Sequence, residues 1–503
     1  MTRVRPFLRA AWPVWLAAAG ALALPACRRP AAVADGDLRR TLVELNVTRV
    51  DADRLMPWRN GAPVAVRGYG VAVGTNLLLT TEEVVRNHTL VEIRLAGSGA
   101  RLPARVVLAD PQSDLALVAP DDPGLAGRLQ PLPVVSDIRR NERHTLVQLG
   151  AGDHLQRSIG TITEIALSYA SAAAPAVLTY DVASDLRAGE SGTPVLRDGR
   201  LAGLVLHFDA AGDDSVVLAP DVITAFLAAA RRTPFVGPPS GGFDSVPLND
   251  PVRRRYLGVP DDDRGVQVLA VHAGGTADGH LQPGDVLLAW DGCDIDNQGF
   301  YRDPVHGRMP LRQLIAGRRT VGEEVTVAIV RAGQPQRLAL RLRAQDDAAA
   351  RVPENAAGAP DDYLIDGGLL FRELTADYLH AMGVRWPLQA NARLVWEYLT
   401  NAGRPRGPGE RVVFLAAVLP DPINIGYQGL HDEIVTAVNG HAVTNLAQLA
   451  RIVAAEGGVA DVSLDDWPGV RLPLDTNHLA EANARIQRMY RIPSLARITT
   501  PAP

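Results

Sequence analysis

The sequence predicts a mainly β protein. A long run of short strands should fold as a sandwich or a pair of barrels, and two copies of a smaller α+β unit should follow it. Three observations predict this. Residues from about Thr48 to Thr233 read as many short strands, several alternating apolar and polar side chains, with Gly and Pro at close intervals, as strands separated by turns do. Later, Asp432-Glu433-Ile434-Val435-Thr436-Ala437-Val438-Asn439-Gly440 mirrors the stretch from Gly284 to Gly292, and helical spacing follows each, so the two regions read as a diverged repeat. Composition is ordinary for globular protein, 47% hydrophobic and 21% charged, and 503 residues allow roughly two to four domains.

The N-terminus reads as an export signal. Arg3, Arg5 and Arg9 precede an apolar run from Ala10 to Ala26, which ends in Leu24-Pro25-Ala26-Cys27. That ending resembles a lipoprotein-processing box, in which the Cys becomes the lipidated N-terminus. A plain secretory signal or a membrane anchor are the alternatives. At roughly 17 residues the run sits at the lower limit for a spanning helix, and Pro13 interrupts it. Residues 1–27 are therefore expected to be a lipoprotein signal peptide and 28–47 a tether. The mature protein is expected in the periplasm or cell envelope, on the membrane through lipid at Cys27. The only other cysteine is Cys293, which reads as a packing or loop residue, so no intrachain disulfide is expected.

Net charge is −5, and all 51 basic residues are arginine. Phosphate binding needs clustered positive charge, so no nucleic-acid partner is expected.

Within residues 48–233, Val91 to Leu95 and Leu146 to Leu149 read as strands, and Asp221 to Arg231 as a closing helix. The first α+β unit spans 250–344, with a helix near Leu311 to Ile315 and a strand at Val325 to Arg331. Residues 345–362, rich in Ala, Asp, Pro and Gly, read as a linker. The second unit spans 363–475, with a helix at Leu446 to Ala454. Residues 476–503 read as a C-terminal helix and tail.

Three patches in the first domain resemble, in order and spacing, the catalytic motifs of the HtrA/Deg serine proteases. Leu79-Thr80-Thr81-Glu82-Glu83-Val84-Val85 stands where that family has Leu-Thr-Asn-x-His-Val-Val. Asp110-Pro111-Gln112-Ser113-Asp114-Leu115-Ala116-Leu117 matches Asp-Pro-x-x-Asp-Leu-Ala-Leu fully, and Gly189-Glu190-Ser191-Gly192-Thr193-Pro194 stands for Gly-Asn-Ser-Gly-Gly-Pro. The resemblance implies a trypsin-like double β-barrel followed by two PDZ domains. The second unit is most similar to the second PDZ domain of plant-type Deg proteases, notably at Pro422-Ile423-Asn424-Ile425-Gly426-Tyr427. It also implies a homo-oligomer, a trimer or a multiple of one.

By this resemblance Ser191 is the nucleophile, Asp114 the orienting carboxylate, and Gly189 and Ser191 the oxyanion amides. The histidine position holds Glu83. A serine hydroxyl needs a neighbouring base. Glutamate, with a reference pKa of about 4.3, is a weak base at neutral pH, and next to Asp114 it tends to share a proton. A Ser-Lys dyad is excluded because the chain has no lysine. His207, on the strand after Ser191, would need special geometry to reach it. Glu82 and Glu83, as adjacent strand residues, would point to opposite faces, so no metal site is expected with Asp114, and no cofactor. The expectation is a degenerate protease. The alternative is an active or acid-shifted endopeptidase using Ser191, Glu83 and Asp114.

In HtrA-type PDZ domains a Tyr-Leu-Gly-Val-like loop cradles a peptide's C-terminal carboxylate. Tyr256-Leu257-Gly258-Val259 matches it. The resemblance therefore implies unfolded polypeptides or protein C-termini as partners.

Overall fold

Two closed antiparallel barrels account for the strand-rich region. In the first, β1 (Leu42–Arg49), β2 (Val64–Gly74), β3 (Leu77–Thr80), β4 (His88–Leu95), β5 (Leu102–Asp110) and β6 (Leu115–Pro120) close in the order β1-β2-β3-β6-β5-β4. In the second, β7 (Arg143–Leu149), β8 (Leu155–Tyr169), β9 (Ala176–Ala183), β10 (Pro194–Arg197), β11 (Arg200–Asp209) and β12 (Asp214–Leu218) close as β10-β11-β12-β9-β8-β7. Alternation puts Val43, Leu45, Ile93 and Val118 inside the first barrel, and Leu146, Leu178, Val195 and Val217 inside the second. A third apolar set, with Tyr69, Leu79 and Leu115 from one barrel and Leu149, Leu196 and Leu204 from the other, joins the two. The structure, a computed structural model, describes residues 35–499 except 126, 151–153, 170–175, 186–189, 212, 261, 347–348, 355–360, 384, 467–468 and 470. The signal segment, Cys27 and Gly189 lie outside the described residues.

Helix α1 (Asp35–Thr41) leads into β1, α2 (Glu82–Val85) follows β3, and α3 (Pro220–Ala229) buries Ile223 and Phe226, as the helical spacing predicts.

The middle domain is an antiparallel sheet in the order β13 (Phe243–Pro247), β14 (Val266–Val271), β15 (Val286–Trp290), β16 (Glu324–Arg331) and β17 (Gln334–Arg341). α4 (Pro251–Tyr256) follows β13, and α5 (Leu311–Arg318) precedes β16. Its buried Trp290, Leu314 and Val327 belong to one apolar cluster with the second barrel, so the domain is docked on the barrels. Arg312 Nε donates to the Ala176 carbonyl at 3.0 Å across that junction.

The third domain holds β18 (Tyr363–Asp366), β19 (Leu369–Glu373), β20 (Val413–Val418), β21 (Glu433–Val438), β22 (Asp461–Leu464), β23 (Arg471–Pro473) and β24 (Ala496–Arg497). They lie in the order β23-β22-β21-β20-β19-β18-β24. Strand β21, α9 (Leu446–Glu456) and β22 repeat the β15-α5-β16 arrangement of the middle domain. Between β19 and β20 the chain inserts α6 (Ala376–His380), α7 (Trp386–Gln389) and α8 (Ala392–Asn401), which the sequence reading does not predict. Gly383 and Pro387 break the periodicity there. The domain also continues past residue 475. α10 (Leu479–Tyr490) buries Leu479, Ala482 and Ile486, and β24 pairs with β18 through Tyr363–Arg497 and Leu364–Ala496.

The loop from residue 50 to 63, between β1 and β2, reaches the third domain. Arg54 pairs with Asp361 at 2.8 Å and Asp377 at 3.3 Å, and Arg497 donates to the Pro57 carbonyl at 2.7 Å. Arg372, 1% exposed, bonds Asp361 at 2.7 Å and also the Arg54 carbonyl.

Candidate active site

The site lies where the two barrels meet. Thr81 follows β3 in extended backbone and α2 begins at Glu82. A helix start leaves N–H groups unpaired. Here Asp114 supplies two acceptors: its carbonyl takes the Glu82 N–H at 3.1 Å, and its Oδ1 takes the Glu83 N–H at 2.9 Å. Asp114 itself follows the Asp110 turn with φ of 50°, and it is 0% exposed.

Ser191 arrives from the loop before β10. Its carbonyl accepts from the Tyr69 N–H at 3.0 Å, and Gly192, at φ of 83°, fits against β2 so closely that a Cβ would stand 2.1 Å from the Tyr69 carbonyl oxygen. Only glycine can occupy that place. Thr193, fully buried, bonds the Glu190 carbonyl through its hydroxyl at 2.7 Å. Glu190 lies near the Tyr69 hydroxyl, which donates to the Leu149 carbonyl at 2.9 Å. Burial first, and the Glu190 charge second, push the Tyr69 phenol above its usual range.

The fold therefore brings Ser191, Asp114 and residue 83 together, but the side chains do not form a relay. The Ser191 hydroxyl shares its hydrogen bond with the Thr81 hydroxyl at 2.8 Å. Glu83 is exposed, and its carboxylate bonds neither Ser191 nor Asp114. Glu82 is 3% exposed and pairs with Arg86 at 2.5 Å. The two glutamates do face apart, though they sit on a helix and not on the strand that the sequence reading assumes.

None of the four histidines in the barrel domain is bonded to Ser191 or Asp114. His88 is exposed and contacts the Val85 carbonyl at 2.8 Å, and His154 is exposed. His207 is exposed on β11. His144 is buried against Tyr180, 3.6 Å from Glu142. Thr81 is the residue that sequence reasoning missed. Its signal was a hydroxyl at the motif's Asn position.

Asp114 Oδ2 is buried without a partner among the described residues. Burial pushes the Asp114 carboxyl well above the usual range; Glu82 and Glu83 push the same way, against the Glu83 amide and Arg86. The native carboxyl thus keeps its proton to a higher pH than the unfolded one. The native state binds more protons in that window, and stability falls as pH rises through it. Asp114→Asn removes this proton. The difference in Tm between variant and wild type should shift in the variant's favour as pH rises from about 4 to about 8, measured by calorimetry. A constant difference would exclude the raised carboxyl.

A second candidate site lies in the middle domain. Among the described residues β13 pairs only with β14, leaving a free sheet edge, and α5 flanks it across a cleft of about 720 Å³. Phe243, Val266, Leu311 and Ile315 give the cleft an apolar floor. Volume and lining suit a ligand pocket. Tyr256, Leu257, Gly258 and Val259 do not line it. Tyr256 ends α4 and is 88% exposed, Gly258 abuts Gly333, and Val259 packs with Leu248, Val286 and Val330. The expected peptide loop is therefore displaced by one helix from the open edge, which is entered by Ser240-Gly241-Gly242. In the third domain, β18 and β24 cover the corresponding side of the sheet.

The trypsin-like peptidase domain family matches residues 68–204, and the PDZ domain family matches residues 352–496. Protease Do-like 2, chloroplastic, of Arabidopsis thaliana is 25% identical over 433 residues, covering 84% of this chain and 69% of its own. The chain carries a trypsin-like domain of the HtrA/Deg type and a PDZ domain. Putative protease Do-like 3, mitochondrial, of the same plant is 25% identical over 451 residues, covering 87% of this chain and 76% of its own. Among solved structures, HtrA-type protease AlgW with decapeptide aligns with a TM-score of 0.46 and 18% identity, covering 62% of this chain and 98% of that one. The three segments that the sequence reading compares with catalytic motifs lie on β3 and α2, at the turn into β6, and in the loop before β10.

Proposed function

We propose that this protein is an HtrA/Deg-type pseudoprotease that binds unfolded or C-terminally exposed polypeptides without cutting them. The observation that carries the reading is the Ser191 hydroxyl bonded at 2.8 Å to Thr81, with Glu83 turned to solvent. A threonine hydroxyl is no base at neutral pH. Loss of general-base help costs about 10²–10⁴-fold. The middle domain acts as the first PDZ unit, its free β13 edge accepting a peptide as an added strand. The third domain, of the plant-type second PDZ kind with its edge self-paired, serves assembly into a homo-oligomer. Lipid on Cys27 holds the protein in the cell envelope.

The purified soluble part and its Ser191→Ala variant should leave unfolded casein intact between about pH 4 and pH 8, and should suppress its aggregation equally. Cleavage by wild type that vanishes in Ser191→Ala would restore the endopeptidase. Confinement of that cleavage to acid pH would assign it to Ser191, Glu83 and Asp114.

A further inference from the structure

A second crevice lies between the barrels and the middle domain, on the other face of α5 from the peptide cleft. Leu311 and Ile315 line the cleft, whereas Gln313 and Gly317, about half a turn round the helix, line the crevice. Its opposite wall is α3, whose Val222, Ala225, Phe226 and Ala229 line the crevice and not the cleft. Phe235, edge-on to Phe226 with ring centroids 6.0 Å apart, closes one end. The volume is about 80 Å³. One water molecule needs about 10–15 Å³ and two to four polar partners, so this space holds several waters by size and offers them few partners along α3. A short apolar chain suits it better.

The charged lining is mostly of one sign. Arg232, Arg312 and Arg319 belong to it, and the single carboxylate among its described residues is Asp110, which is buried and takes the Ser113 hydroxyl at 2.6 Å. Arg319 is neutralised by Asp291 at 2.8 Å and Glu323 at 3.3 Å, and Arg312 Nε is held by the Ala176 carbonyl at 3.0 Å. Arg232 is different. It is exposed just past the end of α3 and reaches across to the middle domain, where its terminal nitrogens meet the Val321 carbonyl and the Thr320 hydroxyl, each at 3.4 Å. Those bonds are long and neutral, and no carboxylate pairs with Arg232 among the described residues. A guanidinium has five N–H donors, so most of its capacity is left for an anion.

We propose that this crevice binds a small anionic amphiphile, a straight-chain carboxylate, with its chain between α3 and α5 and its head on Arg232. The apolar wall of α3 favours methylene groups over water. Charge selects the head: arginine's planar fork takes both oxygens of a carboxylate, and such charge-assisted bonds are stronger than the neutral ones they replace. Because α3 belongs to the barrel domain and α5 to the middle domain, the ligand binds only their docked arrangement and so holds it.

The test titrates the mature chain with octanoate, octanol and octylamine by calorimetry. Wild type should bind octanoate about tenfold or more tightly than octanol, the scale of one charge-assisted pair, and octylamine least. Arg232→Ala should bring octanoate to the octanol value while leaving octanol itself unchanged. Ala225→Trp, which fills the crevice from α3, should weaken octanoate and octanol alike by about tenfold or more. Where circular dichroism shows that Ala225→Trp has lost its fold, Ala229→Leu takes its place. Saturating octanoate should also slow chymotrypsin cutting after Phe235, between the two domains, in wild type and not in the filled variant. Three results would each overturn the proposal: no octanoate binding by wild type, equal affinity for octanoate and octanol, or octanoate binding that neither Arg232→Ala nor the filled variant changes.

Discussion

Glu83→His should raise Ser191-dependent hydrolysis at neutral pH by about 10²-fold or more. The support for an imidazole is already present. The residue 83 amide is fixed to Asp114 Oδ1 at 2.9 Å, and Asp114 Oδ2 is buried and, among the described residues, unpartnered, the acceptor that a ring N–H requires. Removing the Glu83 charge also removes one of the influences that raise the Asp114 carboxyl, so the carboxylate forms more readily and stabilises an imidazolium. The new base must compete with Thr81 for the Ser191 hydroxyl, so Glu83→His with Thr81→Ala should exceed the single variant. Labelling of Ser191 by a fluorophosphonate probe, followed by casein hydrolysis, measures the gain. If neither variant labels above wild type, then Glu190, Thr193 and their loop, and not the missing base, set the limit.

Arg372→Ala should be the most damaging single change outside the barrels. Its guanidinium is 1% exposed and spans Asp361, the Arg54 carbonyl and the Tyr378 ring, whose centroid lies 4.7 Å away. Breaking a buried pair by deleting one partner typically costs about 3–5 kcal/mol, because the other charge stays behind in a poor solvent. Asp361 keeps Arg54 as a partner at 2.8 Å, which puts the expected loss near the lower figure. The loss should appear as a lowered Tm of the third domain and as new protease cutting between residues 50 and 63, since that loop is held partly by Arg372. Arg372→Lys should fall between. An unchanged cutting pattern in Arg372→Ala would mean that Arg54, Arg497 and Trp58 hold the loop without it.

The barrels, the strand–helix–strand repeat and the positions of Ser191 and Asp114 were legible because each depends on local pattern. Alternation buries one face, turns punctuate it, and three motifs in order set the spacing. The glutamate at residue 83 was legible as well, since a residue's identity needs no coordinates. Tyr256-Leu257-Gly258-Val259 resembles a binding loop in letters but does not line the cleft at the free edge, because a free sheet edge is a property of strand order. Strands β13 and β14 are separated in sequence by α4, and only their pairing shows which backbone is left open. The helices α6 to α8 were hidden by Gly383 and Pro387.

The sequence by itself determined the double-barrel class, the glutamate at residue 83, the lack of any lysine, and the repeat of a smaller unit. Those follow from residue identity and short-range periodicity. Tertiary structure alone decided that Thr81 takes the Ser191 hydroxyl, that Asp114 caps α2, that Arg312 meets the Ala176 carbonyl, and that a barrel loop is clamped by Arg372. Each of these contacts joins residues far apart in the chain, and a hydroxyl, carboxylate or guanidinium takes its partner from whatever packing places within about 3 Å of it.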